Sequence, residues 1–220
     1  MKTQAAEIKK VLFNGQKPEP VKQAPCVKKN EAFKTSGQVQ YVAQNGNFRK
    51  KGLEYTGALD ILKVILSYDY LWINIRVKGG AYGCMSGFKR NGESFLVSYR
   101  DPHLKRTLEV YQGVPDYIRA FEADEREMTK YIIGTISNKD VPRTPQMQGS
   151  ISKTAYFSNV TEDMLQKERN QILGAQKEDI QKLAALVEAV LSDDQICVVG
   201  SETAIEKAED VFMEVKPLIG

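Results

Sequence analysis

The residues of this sequence with the clearest potential for chemistry are an arginine and a tyrosine six positions apart. Arg76 falls on the last turn of a predicted helix, Lys78 follows two residues later, and Tyr82 begins a predicted strand. Two glycines, Gly79 and Gly80, separate the helix from the strand and let another backbone approach closely. Because a guanidinium and a phenol both donate hydrogen bonds, the pair can hold a peptide carbonyl or a developing oxyanion.

A structural interpretation competes with this one. An arginine at the C-terminal end of a helix is stabilised by the helix dipole, and a tyrosine at the start of a strand can cover the edge of a core. Basic residues are common at helix ends. Taken alone, the residues favour the structural role.

Other chemistries are excluded by residue counts and spacing. A single histidine, His103, cannot form the zinc motifs H-E-x-x-H or H-x-x-E-H, and its position indicates an exposed residue in the first turn of a helix. Three scattered cysteines form neither a disulfide framework nor a structural zinc site. Cys84 and Cys197 fall in predicted strands, where a small buried apolar residue is the usual role. Because residues 79–83 run from helix to strand, opposite to a phosphate-binding loop, we expect no bound nucleotide.

Two elements would position the arginine and the tyrosine. Apolar residues at 3.6-residue spacing predict a helix from about Thr56, its N-cap, to Arg76. The next two segments, Tyr82–Arg90 and Glu93–Arg100, predict a hairpin around Asn91-Gly92, a pair typical of a type I′ turn. On its second strand Phe95, Val97 and Tyr99 would share one face.

The rest of the chain predicts an α+β fold, a mostly antiparallel sheet with helices packed on one side. The predicted elements are a strand at Gln38–Val42 with a turn at 44–47, a helix opened by Asp101-Pro102, a helix capped by Asp124, an irregular surface segment at Ser137–Tyr156, helices at Thr161–Ile172 and Glu178–Leu191, a strand at Gln195–Gly200, and a last helix from Ser201 through Phe212.

Composition indicates an ordinary globular chain with one main domain. Of its 220 residues, 42% are hydrophobic and 27% are charged, and no apolar run approaches the ~18 residues that span a bilayer. Pro18, Pro20 and Pro25 lie in a polar N-terminal stretch. We therefore expect a linker over residues 1–33, with a short helix near residues 5–12, and one domain over 34–220.

Charge and targeting signals are weak. The net charge is only +3, and acids are interleaved with the lysine clusters, which indicates solvated faces rather than a nucleic-acid site. No signal peptide is visible at the N-terminus. We expect neither a nucleic-acid nor a membrane partner, and a cytoplasmic or other reducing compartment.

Longer segments of the sequence resemble a known family. The strings TSGQVQYVAQNGNFRKKG, EYTGALDILKVILSYDYLWINIRVKGGAYG, SYRDPHLKRTLEVY and RNQILGAQKEDIQKLAALVEAVLSDDQICVVGSE are similar to the last domain of presequence-protease-type zinc metallopeptidases. These enzymes belong to the pitrilysin/insulinase superfamily and consist of four homologous domains in two half-shells. The resemblance covers residues 30–220 and implies the LuxS/MPP-like metallopeptidase domain fold.

The resemblance implies roles for the residues at 76–83. In this family the zinc motif H-x-x-E-H lies in the first domain, and the last domain supplies an arginine and a tyrosine that hold the substrate backbone and stabilise the tetrahedral intermediate. Arg76 and Tyr82 match those two positions, and Gly79, Gly80 and Gly83 match the substrate-binding glycines around them. The implied zinc would belong to the longer enzyme and not to this chain.

The resemblance reverses the preference for a structural role. The first hypothesis is a C-terminal domain of a zinc endopeptidase that degrades unfolded peptides in a closed chamber, paired with an N-terminal catalytic half. The second is a non-catalytic peptide-binding or assembly module of the same fold. Since a domain outside its shell exposes apolar surface, self-association of the isolated chain is also expected.

Overall fold

The computed structural model describes residues 6–7, 10–11 and 27–218. Most of the predicted linker, with its short helix, lies outside the described residues. The first strand, β1, spans Glu31–Thr35 and pairs with two other strands. Residues 31–33 are thus part of the sheet, because their backbone is hydrogen-bonded on both sides.

The six strands form one mixed sheet in the order β3-β4-β2-β5-β1-β6. Pairs β3–β4, β4–β2 and β2–β5 are antiparallel, whereas β1 runs parallel to both β5 and β6. The bounds of the remaining strands are Gln40–Asn47 for β2, Gly83–Phe88 for β3, Glu93–Asp101 for β4, Gln195–Ser201 for β5 and Glu214–Pro217 for β6.

Helices cover one face of this sheet. They are α1 (Ala58–Tyr68), α2 (Lys105–Gln112), α3 (Val114–Arg119), α4 (Glu125–Lys139), α5 (Pro145–Phe157), α6 (Glu162–Leu173), α7 (Lys177–Gln181), α8 (Ala184–Ser192) and α9 (Glu202–Glu206). Burial alternates along β2, β4 and β5, so one side of each strand faces the helices. The predicted α+β fold is confirmed. Within the described chain, no helix is long and apolar enough to cross a membrane.

The predicted helix from Thr56 to Arg76 is divided in two. Helix α1 ends at Tyr68, and a π-helix follows over Trp72–Val77. Buried leucines and isoleucines of α1 form the centre of the core. Trp72, predicted on the apolar face, is 39% exposed because the helical register changes between the two segments. Tyr68, also predicted there, is 70% exposed at the last residue of α1.

The predicted hairpin is confirmed, but its type I′ turn is wrong. The Gly92 N–H donates to the Lys89 carbonyl at 2.8 Å, and the Lys89 N–H donates to the Glu93 carbonyl at 2.9 Å. Gly92 has φ +89°, whereas Asn91 is not among the residues with positive φ. A type I′ turn needs positive φ at both central residues, so this loop is a four-residue turn closed by a left-handed glycine.

Three predictions between residues 44 and 156 are corrected. The turn at 44–47 is strand, because Gly46 lets the backbone of α8 approach β2 where a Cβ would collide with the Val190 carbonyl. The helix after Asp101-Pro102 starts at Lys105, since Asp101 ends β4. The segment Ser137–Tyr156 is helical, with α4 continuing to Lys139 and α5 capped by Thr144.

The C-terminal predictions are confirmed only in part. The helix capped by Thr161 and the strand at β5 are present. The helix predicted at Glu178–Leu191 is interrupted, giving α7 and α8. The last helix ends at Glu206, and the missed strand β6 follows a 3₁₀ turn at Glu209–Val211.

Candidate functional site

The site begins at the end of the π-helix. The Lys78 N–H donates to the Ile73 carbonyl, five residues back, at 2.9 Å. Gly80 has φ +78° and donates its N–H to the Arg76 carbonyl at 2.8 Å. A left-handed glycine closes helix ends at little steric cost. The chain thereby turns directly from the helix that carries Arg76 into the strand that follows Tyr82.

The other two predicted glycines have packing roles at this junction. A Cβ on Gly79 would collide with the Ile75 carbonyl, and a Cβ on Gly83 would collide with the ring of Tyr99. Gly79 and Gly83 are buried, whereas Gly80 is exposed. Their contacts explain why glycine is needed here, and their role in substrate binding stays a prediction.

Arg76 and Tyr82 lie together on the surface. The Arg76 guanidinium lies 4.2 Å from the centroid of the Trp72 ring and 5.8 Å from that of Tyr82. Tyr82 is 58% exposed, so its hydroxyl can reach a ligand. Cation–π contacts of this kind contribute about 0.5–1 kcal/mol at exposed sites. They hold the guanidinium beside the phenol.

Trp72 was predicted only as an apolar helix residue, although its spacing of four from Arg76 was a usable signal. Arg100 was missed entirely. Its guanidinium lies 5.6 Å from the centroid of the Tyr82 ring, and its carbonyl accepts the Tyr82 N–H at 3.2 Å. No sequence pattern indicated this contact, because it depends on an irregularity in the pairing of β4 with β2.

That irregularity is a β-bulge. On β2, Gln40 pairs with Asp101 and Val42 pairs with Ser98, so β4 carries one extra residue in this interval. Arg100 has φ +49° there, a conformation that costs a non-glycine residue about 1–2 kcal/mol. The bulge leaves Arg100 exposed and Asp101 fully buried.

The buried Asp101 is engaged by its own neighbours. One carboxylate oxygen accepts the Thr107 hydroxyl at 2.7 Å, and the other accepts the His103 backbone N–H at 2.9 Å. These bonds satisfy both oxygens of the carboxylate, and they hold the loop after β4 against helix α2.

Cys84, two residues after Tyr82, is not a nucleophile in this setting. Burial raises the pKa of its thiol to about 11, the Asp101 charge raises it further, and the Arg76 charge opposes the rise. Burial also raises the pKa of Cys197. Both thiols are therefore protonated at neutral pH, as expected for structural cysteines.

A zinc ion does not fit the residues of this site. No group of three His, Cys, Asp or Glu side chains that could hold a metal exists in the described part of the chain. His103 is exposed, and its neighbour Asp101 is already hydrogen-bonded. The donors here are cationic and phenolic, which suits an oxyanion rather than a cation.

A separate cavity of about 870 Å³ lies between the hairpin turn and helices α5 and α6. Most of its charged groups are already paired: Arg90 binds the buried Glu168, and Lys139 binds Asp60 at 2.8 Å. These pairs fix the hairpin to the helical layer, and they leave no set of groups arranged for catalysis.

Comparisons with known proteins match most of the chain. The model of the PreP C-terminal domain family matches residues 30–202. Protein HypA of Clostridium perfringens is 50% identical over 192 residues, which cover 87% of this chain and 20% of that protein. Presequence protease 1, chloroplastic/mitochondrial, of Arabidopsis thaliana is 34% identical over 192 residues, which cover 86% of this chain and 18% of that protein.

Solved structures share the fold. An inactive peptidase domain from Pseudomonas fluorescens has a TM-score of 0.58 at 17% identity, with all of this chain and 52% of that chain covered. Pitrilysin has a TM-score of 0.52 at 17% identity, with 78% and 19% covered. The chain spans about a fifth of the length of its two curated relatives named above. It belongs to the PreP C-terminal domain family.

Proposed function

We propose that this chain is the C-terminal domain of a zinc-dependent endopeptidase that degrades unfolded peptides in a closed chamber. In this proposal Arg76 and Tyr82 hold the substrate backbone and stabilise the tetrahedral intermediate. The observation that carries it is the exposed pair itself, with the Arg76 guanidinium 5.8 Å from the centroid of the Tyr82 ring. The pair stands at the junction where the family resemblance assigns these roles.

The chemistry of the two groups fits the role. Attack on a peptide carbonyl converts its oxygen into an oxyanion, and prearranged donors aimed at that oxygen lower the barrier. A guanidinium is charged at every working pH and offers several N–H donors, while the phenol adds one O–H. Trp72 contacts the guanidinium, and the left-handed turn at Gly80 fixes the backbone between the two residues, which limits the reorganisation needed when charge develops.

The zinc and the general base must come from elsewhere in the longer protein. In this proposal the partner of the chain is the N-terminal catalytic half of the same polypeptide, with its H-x-x-E-H motif. The Arabidopsis relative is named a presequence protease, which supports peptides as the substrate class.

The decisive test replaces each donor in the full-length protein. We expect Arg76→Ala and Tyr82→Phe each to lower kcat/KM for an unstructured peptide by roughly 10²-fold, the scale of losing one oxyanion donor. Arg126→Ala and Tyr156→Phe are matched controls, because both residues are exposed on helices away from the junction. Wild-type turnover in both site variants would disprove the assigned roles.

The isolated chain provides a second arm of that test. Purified alone, it should cleave no peptide and bind no stoichiometric zinc, and adding the N-terminal half should restore cleavage. Peptidase activity of the isolated chain, unaffected by chelation, would contradict the division of the active site between two parts.

A non-catalytic binding or assembly module remains the alternative function. One observation favours it: two solved structures with this fold are named inactive peptidase domains. The two functions differ in the coding sequence upstream of residue 1, which contains an in-frame H-x-x-E-H motif only if the first proposal is correct.

A further inference from the structure

Two guanidiniums lie beside Tyr82, and two further cations lie at the same helix–strand junction. Arg76 and Arg100 have guanidiniums 5.8 Å and 5.6 Å from the centroid of its ring. Lys78 and Arg106 lie close by, with an Arg106 N–H donating to the Lys78 carbonyl at 3.1 Å. All four side chains are exposed.

None of the four cations forms an ion pair with a carboxylate within the described residues. The neighbouring acid, Asp101, is fully buried and already accepts two hydrogen bonds. Elsewhere lysines and arginines do pair with acids, as Arg119 does with Asp116. The cluster thus presents to solvent positive charge with which no carboxylate of the described residues is directly paired.

The backbone at Arg100 indicates that this placement is specific. Simple alternation along β4 would put Arg100 on the face that the helices cover, the side to which Ser98 points. The bulge instead places it beside Tyr82, at the expense of a φ of +49°. Among the described residues, the other non-glycine positions with positive φ are an asparagine and an aspartate, which adopt this conformation more readily than arginine. Strain of this kind is concentrated at functional sites.

We propose that Arg100, beside the Arg76–Tyr82 pair, binds a carboxylate of the bound peptide and is the specificity-determining residue at this position. This inference rests on the proposed function, because it takes a peptide substrate as the ligand of the site. Guanidiniums suit carboxylates because their planar N–H donors match the two oxygens. The surrounding rings of Trp72, Tyr82 and Tyr99 offer apolar contacts to the peptide rather than a continuous basic track for nucleic acid.

The carboxylate can come from the C-terminus of a peptide or from an Asp or Glu side chain. Three otherwise identical, tryptophan-free peptides separate these sources. The first has a free C-terminal carboxylate and no acidic side chain, the second has an amidated C-terminus and one internal Glu, and the third has an amidated C-terminus with Gln in place of that Glu.

The chain contains its own reporter for this experiment. Trp72 is its single tryptophan and contacts the Arg76 guanidinium. Fluorescence of Trp72, or its indole N–H resonance, therefore follows binding at the site in the 220-residue chain without any catalysis. The measured quantity is the ratio of affinities for a carboxylate peptide and the neutral peptide within each variant.

We expect at least one carboxylate peptide to bind about five- to tenfold tighter than the neutral peptide at low salt, with the preference decreasing as salt rises. Arg100→Gln should abolish most of that preference, Arg100→Lys should retain part of it, and Arg126→Gln, which removes the same charge from α4, should retain all of it. Because the result is a ratio, a partly unfolded variant lowers both affinities alike.

Two outcomes would overturn the inference: no carboxylate-dependent signal from Trp72 in the wild-type chain, or an unchanged preference in Arg100→Gln. Inorganic phosphate displacing the carboxylate peptide as well as a second carboxylate peptide does would also overturn it, because the site would then select charge alone. The proposed catalytic role fails separately, through wild-type turnover of the Arg76 and Tyr82 variants.

Discussion

The two faces of the central sheet differ in what covers them, not in how apolar they are. On the face under the helices, Leu96 and Val198 are 1% and 0% exposed. On the other face their sequence neighbours Val97 and Val199 are only half-buried, and Tyr41 is 47% exposed. Cross-strand pairing places Val97 beside Ala43 and Met85, so the open face presents a continuous apolar surface.

The difference shows that these strands carry more apolar surface than the described residues of this chain cover. Short runs such as Phe95–Val97 and Ile196–Val199 are typical of strands with both faces buried. In a sheet exposed to water on one side, polar residues would alternate with apolar ones. The rings of Tyr82 and Tyr99, 5.7 Å apart, join the candidate site to this open face.

Truncating a side chain should destabilise the domain much more on the covered face than on the open face, and this is the largest expected difference between them. Leu96→Ala removes a fully buried side chain and should lower the free energy of unfolding by about 2–5 kcal/mol. Val97→Ala, one residue later and half-buried, should cost about 1 kcal/mol or less in the isolated chain. Urea unfolding followed by circular dichroism measures both. Equal losses would mean that the open face is packed in the isolated chain as tightly as the covered one.

Much of the covered face could be predicted from the sequence. Periodicity located α1, the Asn91-Gly92 pair located the hairpin, and capping residues located the starts of α4 and α6. Two of the failures have a common cause, because Gly46 and β6 depend on contacts with distant parts of the chain. Gly46 in particular carries turn chemistry locally, and only the approach of α8 explains it within a strand. Helix α5 has no buried residue, and its local signals, the Thr144 cap and Pro145 in the first turn, were overlooked.

The candidate site, like the fold, could be predicted from the sequence only where the signal is local. Residue types and family resemblance selected Arg76 and Tyr82, which the structure brings together. Arg100 could not be selected, since its position follows from a bulge that appears only when β2 and β4 are paired. A local pattern cannot encode that register shift.

A substitution on the open face should also change the affinity of the isolated chain for itself, although this effect is smaller than the effect on stability. We expect the isolated chain to form dimers through this apolar surface, and Val97→Lys to weaken them by about tenfold, because a buried charge opposes association. Sedimentation equilibrium measures the change. Ile133→Lys on α4 is the matched control, as Ile133 is 59% exposed on the helical layer. Equal effects of the two variants would place the contact elsewhere.

Cys84 and Cys197 lie on opposite faces of the sheet, so the reactivity of their thiols can be compared between the faces. Cys84 points to the covered face, and burial raises the pKa of its thiol to about 11. Cys197 lies on the open face opposite Ala43, and burial raises its pKa as well, although it is the less buried of the two. Because only the thiolate reacts, alkylation by iodoacetamide should accelerate with pH for both, and Cys197 should reach its maximal rate at a lower pH than Cys84.

In a Cys26→Ser background, mass spectrometry should therefore find Cys197 modified first in the isolated chain. If the open face is covered in the full-length protein, Cys197 should become protected there while the rate at Cys84 stays the same. Equal protection of both thiols would indicate a general stabilisation of the domain, and an unprotected Cys197 would mean that the open face remains accessible to solvent in the longer protein. The ratio of the two rates, unlike either rate alone, distinguishes cover on one face from a change in the whole sheet.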